Sequence, residues 1–225
     1  MKHYDSIESI NYDKSLIGEN VWAFNKLDGQ NLCVKYNSKR KEFAGFGSRK
    51  CQVDENHEQF GGAVRFFKSK ISNILLDIIN NNSGKGQLFK GIDEITFYFE
   101  WYGEHSFAGF HQEGDEMHLA LIDVHLKKKG YIEPKDFYEI FGNVPGLEIP
   151  ELIFKGVLTN SFIKSINDND WTSENPEYPS VKEGVVCRRS SILKGQRMPK
   201  VKIKTKWWID KLHEKFSPDK WKELE

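Results

Sequence analysis

A chain of 225 residues, 38% hydrophobic and 13% aromatic, can bury the core of one domain or one and a half, which excludes a disordered polymer. Its formal charge is zero, with 33 basic and 33 acidic residues, so it does not grip nucleic acid with its whole surface. The start Met1-Lys2-His3-Tyr4-Asp5 is polar and no apolar run approaches the roughly 18 residues of a membrane helix, so a soluble, intracellular, cytoplasmic protein with no membrane partner is expected.

Val21-Trp22-Ala23-Phe24 and Asn31-Leu32-Cys33-Val34-Lys35-Tyr36 read as two strands joined through Lys26-Leu27-Asp28-Gly29, and Glu42 to Gly47 as a third, a local meander. Val64, Phe67, Ile71, Ile74, Leu75, Ile78 and Ile79 recur at three- and four-residue steps, which predicts one amphipathic helix from Gly62 to the Asn80-Asn81-Asn82-Ser83-Gly84 stop. The aromatic and branched runs Ile95–Tyr102 and Met117–Val124 predict central strands. Pro134 opens a short helix carrying Phe137, Tyr138, Ile140 and Phe141, and a second helix runs from Ser161 to about Asn167. Strands over Glu183–Arg188 and Pro199–Thr205 precede a terminal helix beginning at Trp207-Trp208, and Ser217-Pro218-Asp219 restarts the chain for a last turn. Strands outnumber helices and connect mostly through hairpins, so the expected class is α+β, antiparallel sheets flanked by helices.

Four short motifs stand in order along these elements: Lys26-Leu27-Asp28-Gly29, Glu100 at the end of Phe97-Tyr98-Phe99, Lys182-Glu183-Gly184-Val185-Val186, and Lys202-Ile203-Lys204. Each alone is a common coincidence; together they point to a lysine attacking a nucleotide phosphate. A lysine amine is nucleophilic only when neutral, and its reference pKa of about 10.4 keeps it protonated, so the site must depress that value. Lys202 and Lys204, two apart on a strand, face the same side and would both lower the pKa of Lys26 and neutralise the phosphate. Magnesium or manganese on the triphosphate needs a carboxylate, for which Glu183 beside Gly184 is the candidate.

The rest of the chain offers less. From Val181 onward 13 Lys/Arg face 6 Asp/Glu, a basic segment that suits a phosphate groove, although a solvated lysine-rich tail is the plainer reading of charge alone. Cys33, Cys51 and Cys187 are odd in number and widely spaced, as in a reducing compartment. His105, His111, His118 and His125 lie among Glu104, Glu113, Asp115 and Asp123, without the spacing of a zinc site. Glu104 and His105 could instead line the mouth of a site around Glu100. Neither the phosphate-loop nor the dinucleotide-binding glycine pattern occurs.

From Lys26 to Lys204 the motif set resembles the covalent nucleotidyltransferases, the polynucleotide ligases and messenger-RNA capping enzymes. The resemblance implies a nucleotidyltransferase domain of the ATP-grasp-like ligase type over residues 1–225, with 206–225 a short helical tail. It implies that Lys26 becomes the lysyl-nucleotide, with Asp28 and Gly29 completing its motif. Arg49 of Ser48-Arg49 would contact the ribose or the incoming phosphate, Glu100 the ribose, Glu183 the metal, and Lys202 and Lys204 the phosphates. Asn31, five residues past the nucleophile, is similar to the phage-type RNA ligase 2 and RNA-editing ligases, where asparagine orders the metal's water shell; DNA ligases usually carry arginine there. Asp28 stands where those RNA ligases usually have histidine. The Leu119–Asp123 segment lacks their adenine-stacking aromatic, so the base would be sandwiched by aliphatic residues such as Leu121.

The reading that follows is an ATP-dependent RNA ligase joining the 5′-phosphate and 3′-hydroxyl of nicked or broken RNA, with ATP and Mg2+ or Mn2+ as cofactors. About 20 residues follow Lys204, too few for the OB-fold domain of DNA ligases. The expectation is a minimal ligase or one that borrows its RNA grip from a protein partner. Lys206, Lys211, Lys215, Lys220 and Lys222, interleaved with Trp207, Trp208 and Trp221, offer either a backbone-binding surface or a helix docking its tryptophans on the core. The alternatives are a DNA ligase core acting on DNA and a degenerate nucleic-acid-binding or nucleotide-sensing protein.

Overall fold

The computed structural model describes residues 3–104, 114–192, 198–218 and 221. Among residues named above, Met1, Lys2, His105, His111, Glu113, Asp219, Lys220 and Lys222 lie outside that set. The chain divides into two compact units. One holds residues 1–5, 29–103 and 115–149, the other 6–28, 104–114 and 150–225.

The first unit is a six-stranded sheet of β3 (Gly29–Asn37), β4 (Glu42–Gly47), β5 (Gln52–Val53), β6 (Glu94–Tyr102), β7 (His118–Leu126) and β8 (Gly130–Tyr131). The strand order is β5-β4-β3-β6-β7-β8, and every pairing is antiparallel. One face is aromatic and dry: Leu32, Phe97, Phe99 and Leu121 are fully buried, and Phe67 packs edge-on against Phe43, Phe46 and Phe99. The covering helix is not the single rod that the periodicity predicts. It runs as α1 (Gly61–Phe66), a π-helical turn (Phe67–Ile71) and α2 (Ser72–Asn81). Ser69 Oγ donates to the carbonyls of Arg65 and Phe66, and Ser72 Oγ to that of Lys68, the back-bonding that bends helices. The extra residue lets consecutive side chains reach the sheet, Phe66 onto Trp101 and Phe67 onto Phe99. Helix α3 (Pro134–Phe141) starts at its proline, as expected.

The second unit holds a five-stranded sheet of β1 (Glu8–Ser9), β2 (Asn20–Asn25), β9 (Leu152–Val157), β10 (Gly184–Arg189) and β11 (Lys200–Lys204), in the order β1-β11-β10-β2-β9. Only the β1–β11 pairing is parallel. Val21, Ala23, Val185, Cys187, Val201 and Ile203 alternate along the strands into a core closed by Phe162 and Ile166 of α4 (Asn160–Asn167). The Thr159 side chain caps α4 by accepting from Phe162 N at 3.2 Å. Helix α5 (Lys206–Lys215) has its own cap in Thr205.

The predicted meander is corrected here. β2 and β3 are not a hairpin: β2 pairs with β9 and β10, β3 with β4 and β6, in separate sheets. After β2, Lys26 N donates to Gly184 O, prolonging the β10 pairing, and Gly29 begins the register of β3 with Tyr102. The strand β9 and the two-residue strands were not legible in the sequence.

Candidate active site

Three neighbouring strands of the second unit present the lysines. Lys26 follows the end of β2, Glu183 immediately precedes β10, and Lys202 and Lys204 lie on β11. Gly184 pairs with Lys204 and Val185 with both Ile203 and Asn25, which brings the three strand ends level. The approach is tight enough to require the glycine. Gly184 has φ +150°, and a Cβ there would fall 2.1 Å from the Ile203 carbonyl oxygen.

Glu183 Oε1 lies 2.8 Å from Lys26 Nζ and 3.3 Å from Lys204 Nζ. Two lysine amines therefore share one carboxylate oxygen. The other, Oε2, is buried with no hydrogen-bond partner among the described residues. The Lys204 side chain is only 6% exposed, and its Nζ stands 3.4 Å over the ring centroid of the buried Trp208. Burial, then the neighbouring charges of Lys26 and Lys202, push the Lys204 amine down to about 7 against the opposing pull of Glu183. A buried amine with a lowered pKa is drawn back toward its charged form by any anion that approaches it. Asp28 lies half-buried two residues past Lys26.

The first unit carries the other motif residues. Gly29 leads β3, and a Cβ there would meet the Trp101 carbonyl oxygen at 2.5 Å, so this motif glycine is dictated by the strand pairing. Asn31 and Glu100 are cross-strand partners and so share a face of the sheet. Asn31 is buried; its Nδ2 donates to Phe99 O at 3.1 Å, while its Oδ1 has no partner among the described residues. Glu100 is half-buried. Arg49 is exposed in the turn after β4, where the hydroxyl of buried Ser48 accepts from the amides of Lys50 and Cys51.

Leu121 requires a correction. It pairs with Phe99, is fully buried, and sits on the packed face, opposite to Asn31 and Glu100. A bulge between Tyr98 and Phe99 skips Ile122 and reverses the parity of β7, so that Ala120 is the residue facing Glu100. Farther along that face Tyr102 stacks on His118, and both engage Glu148. No reading of spacing could have found this trio, since Glu148 arrives from a loop. Among the described residues no group of three or more His, Cys, Asp or Glu side chains is arranged to hold a metal.

The profile of the RNA ligase family matches residues 19–204, from the start of β2 to the last lysine of the cluster. The chain belongs to that family. Solved structures of Naegleria gruberi RNA ligase share its fold. An apo mutant is 17% identical over 96% of this chain, with TM-score 0.62; a mutant with AMP and Mn is 16% identical over 94%, with TM-score 0.61; a mutant with ATP and Mn is 18% identical over 94%, with TM-score 0.60. The chain spans about 58% of the length of that ligase. No curated protein matches the sequence. The fold likeness and the family agree with the α+β nucleotidyltransferase expected from the motifs.

Proposed function

We propose that this chain is the catalytic part of an ATP-dependent RNA ligase that works through a lysyl-AMP intermediate. The observation that carries the reading is the sharing of one buried Glu183 oxygen by Lys26 and Lys204, at the level strand ends of the second unit. In the first step the Lys26 Nζ lone pair attacks the α-phosphorus of ATP, the phosphoanhydride bond breaks, and pyrophosphate leaves with its electron pair. The amine must shed its protons for this, and the Glu183 carboxylate at 2.8 Å is placed to accept one. Lys204 and Lys202 offset the charge that gathers on the phosphate oxygens. An oxygen of the RNA 5′-phosphate then displaces Lys26 from the AMP phosphorus, giving a 5′–5′ pyrophosphate linkage. Attack by the 3′-hydroxyl on the RNA phosphorus expels AMP and leaves a phosphodiester.

A divalent ion fits the oxygens present. Glu183 Oε2 is buried and without a partner among the described residues, an arrangement that costs stability unless a cation or its water shell satisfies it. Glu183 would hold Mg2+ or Mn2+. The ion would neutralise the triphosphate and the leaving pyrophosphate. The Naegleria enzyme was solved with Mn beside ATP or AMP, which supports the same cofactors here. RNA with nicked or broken ends is the substrate in this reading, on family membership and on Asn31. A cytoplasmic setting belongs to it as well, supported by three free cysteines, two of them buried.

The test is intact-mass analysis after incubation with ATP and Mg2+ or Mn2+ without nucleic acid. The wild type should gain one AMP and Lys26→Ala none, with GTP as the competing nucleotide. A wild type that stays unmodified from about pH 6 to about pH 9 with both metals, a span that brackets the ordinary working range of a catalytic base, overturns the proposal.

A further inference from the structure

The tryptophans of the C-terminal segment divide into two kinds. Trp208 is buried beneath Lys204, and Trp221 packs on His213 while its Nε1 donates to Phe216 O at 2.7 Å. Trp207 is different: it is half-exposed and meets Trp171, also half-exposed, edge to face at 5.3 Å and 78°. Lys182 Nζ stands 4.8 Å over the Trp171 ring, and the exposed Lys206 adjoins Trp207 in α5. The two indoles meet at nearly right angles and form a corner, with an ammonium over the ring of one of them.

The corner is fastened to the catalytic cluster within the same unit. Thr205 Oγ1 accepts from Trp208 N at 3.1 Å and donates to Lys182 O at 2.7 Å, tying the first turn of α5 to the residue that precedes Glu183. On the other side Asn25, next to Lys26, donates from Nδ2 to Ser180 O at 2.9 Å, at the end of the loop that carries Trp171.

We propose that Trp171, Trp207 and Lys182 bind one unpaired nucleotide of the RNA beside the end being joined, the base stacking on indole and the flanking phosphates meeting Lys182 and Lys206. This rests on the RNA ligase reading. The chemistry favours RNA over a protein ligand because the indoles come with cations, Lys182 over the Trp171 ring and Lys206 adjoining Trp207, which suits a polyanion with flat bases and gives an apolar peptide nothing. Stacking tolerates any base, so the corner supplies affinity without sequence preference. A base within a continuous helix is already stacked, so ends with an unpaired or frayed nucleotide bind better than a fully paired nick.

The experiment is fluorescence anisotropy of a labelled single-stranded RNA with the wild type, Trp171→Leu, Trp207→Leu, Trp207→Phe and Lys182→Ala over a salt series. Each leucine variant should weaken binding about tenfold, the loss of one base stack, and Trp207→Phe should recover most of it. Lys182→Ala should lower the slope of log affinity against log salt by about one. Unchanged affinity in both leucine variants overturns the proposal. Should those variants fail to fold, the wild type is photocrosslinked to RNA containing 5-iodouridine: adducts on Trp171 or Trp207 support the corner, and adducts only elsewhere overturn it. Self-adenylylation of the wild type needs no RNA and tests the ligase reading separately.

Discussion

Replacing Lys204 by methionine should remove a pH dependence from the stability of this protein. The amine falls from an ordinary 10.5 to about 7 because the folded chain buries it. The sign follows from proton counting. Between those values the unfolded chain holds more protons than the folded one, so stability rises with pH. The penalty is absent above 10.5 and fully present once pH has dropped below about 7. At about 1.4 kcal/mol per pH unit the whole window is worth about 5 kcal/mol, and the stretch from about pH 7 to about pH 9 about 2 kcal/mol. The side chain is only 6% exposed, so solvent screening does not dilute the effect. Methionine keeps the apolar stem against Trp208 and leaves Glu183 paired with Lys26, so no buried charge is abandoned. Urea unfolding at four values from about pH 6 to about pH 9 gives the measurement. The stability of the wild type relative to Lys204→Met should be nearly flat below about pH 7 and climb by about 2 kcal/mol by about pH 9. Burial pushes the thiols of Cys33 and Cys187 up to about 12, but that contribution is common to both proteins and cancels. Parallel curves would refute the reasoning, since they would mean that the Lys204 ammonium is as well solvated folded as unfolded.

Two further sets of substitutions test the geometry of the strands. Gly184→Ala places a Cβ 2.1 Å from the Ile203 carbonyl at φ +150°, so thermal unfolding should show a loss of about 2 kcal/mol or more, and self-adenylylation should fall with it as Glu183 is displaced. A Gly184→Ala enzyme with wild-type stability would contradict the close approach of β10 and β11. Ala120 and Leu121 are both fully buried, so Leu121→Phe overpacks the sheet's packed face and should cost about 1–3 kcal/mol of stability in urea unfolding; unchanged stability would place Leu121 at an open face.

Much of the site was legible because its chemistry demands residue types in a fixed order: an amine, a carboxylate, and two cations one residue apart on a strand. Those local constraints survive any fold that brings the strand ends together. Lys26, Glu183 and Lys204 accordingly meet, and Asn31 and Glu100 are cross-strand partners. The failures are of another kind. Alternation along Leu119–Asp123 is equally consistent with either face outward, and the choice is made by a one-residue bulge that leaves no mark in hydrophobicity. The stretch Lys26–Gly29 has the look of a hairpin turn, yet β2 and β3 find better partners elsewhere.

The sequence by itself determined the family, the α+β class and the charges available for phosphate chemistry, since periodicity and motif order are properties of the chain. Tertiary structure alone decided that Glu183 serves two lysines with one oxygen, that Lys204 rather than a surface lysine sits buried near neutrality, and that Trp171 reaches Trp207 from a distant loop. The reason is physical: a pKa or a stacking corner depends on desolvation and on contacts between residues far apart in sequence, and neither exists until the strands have closed.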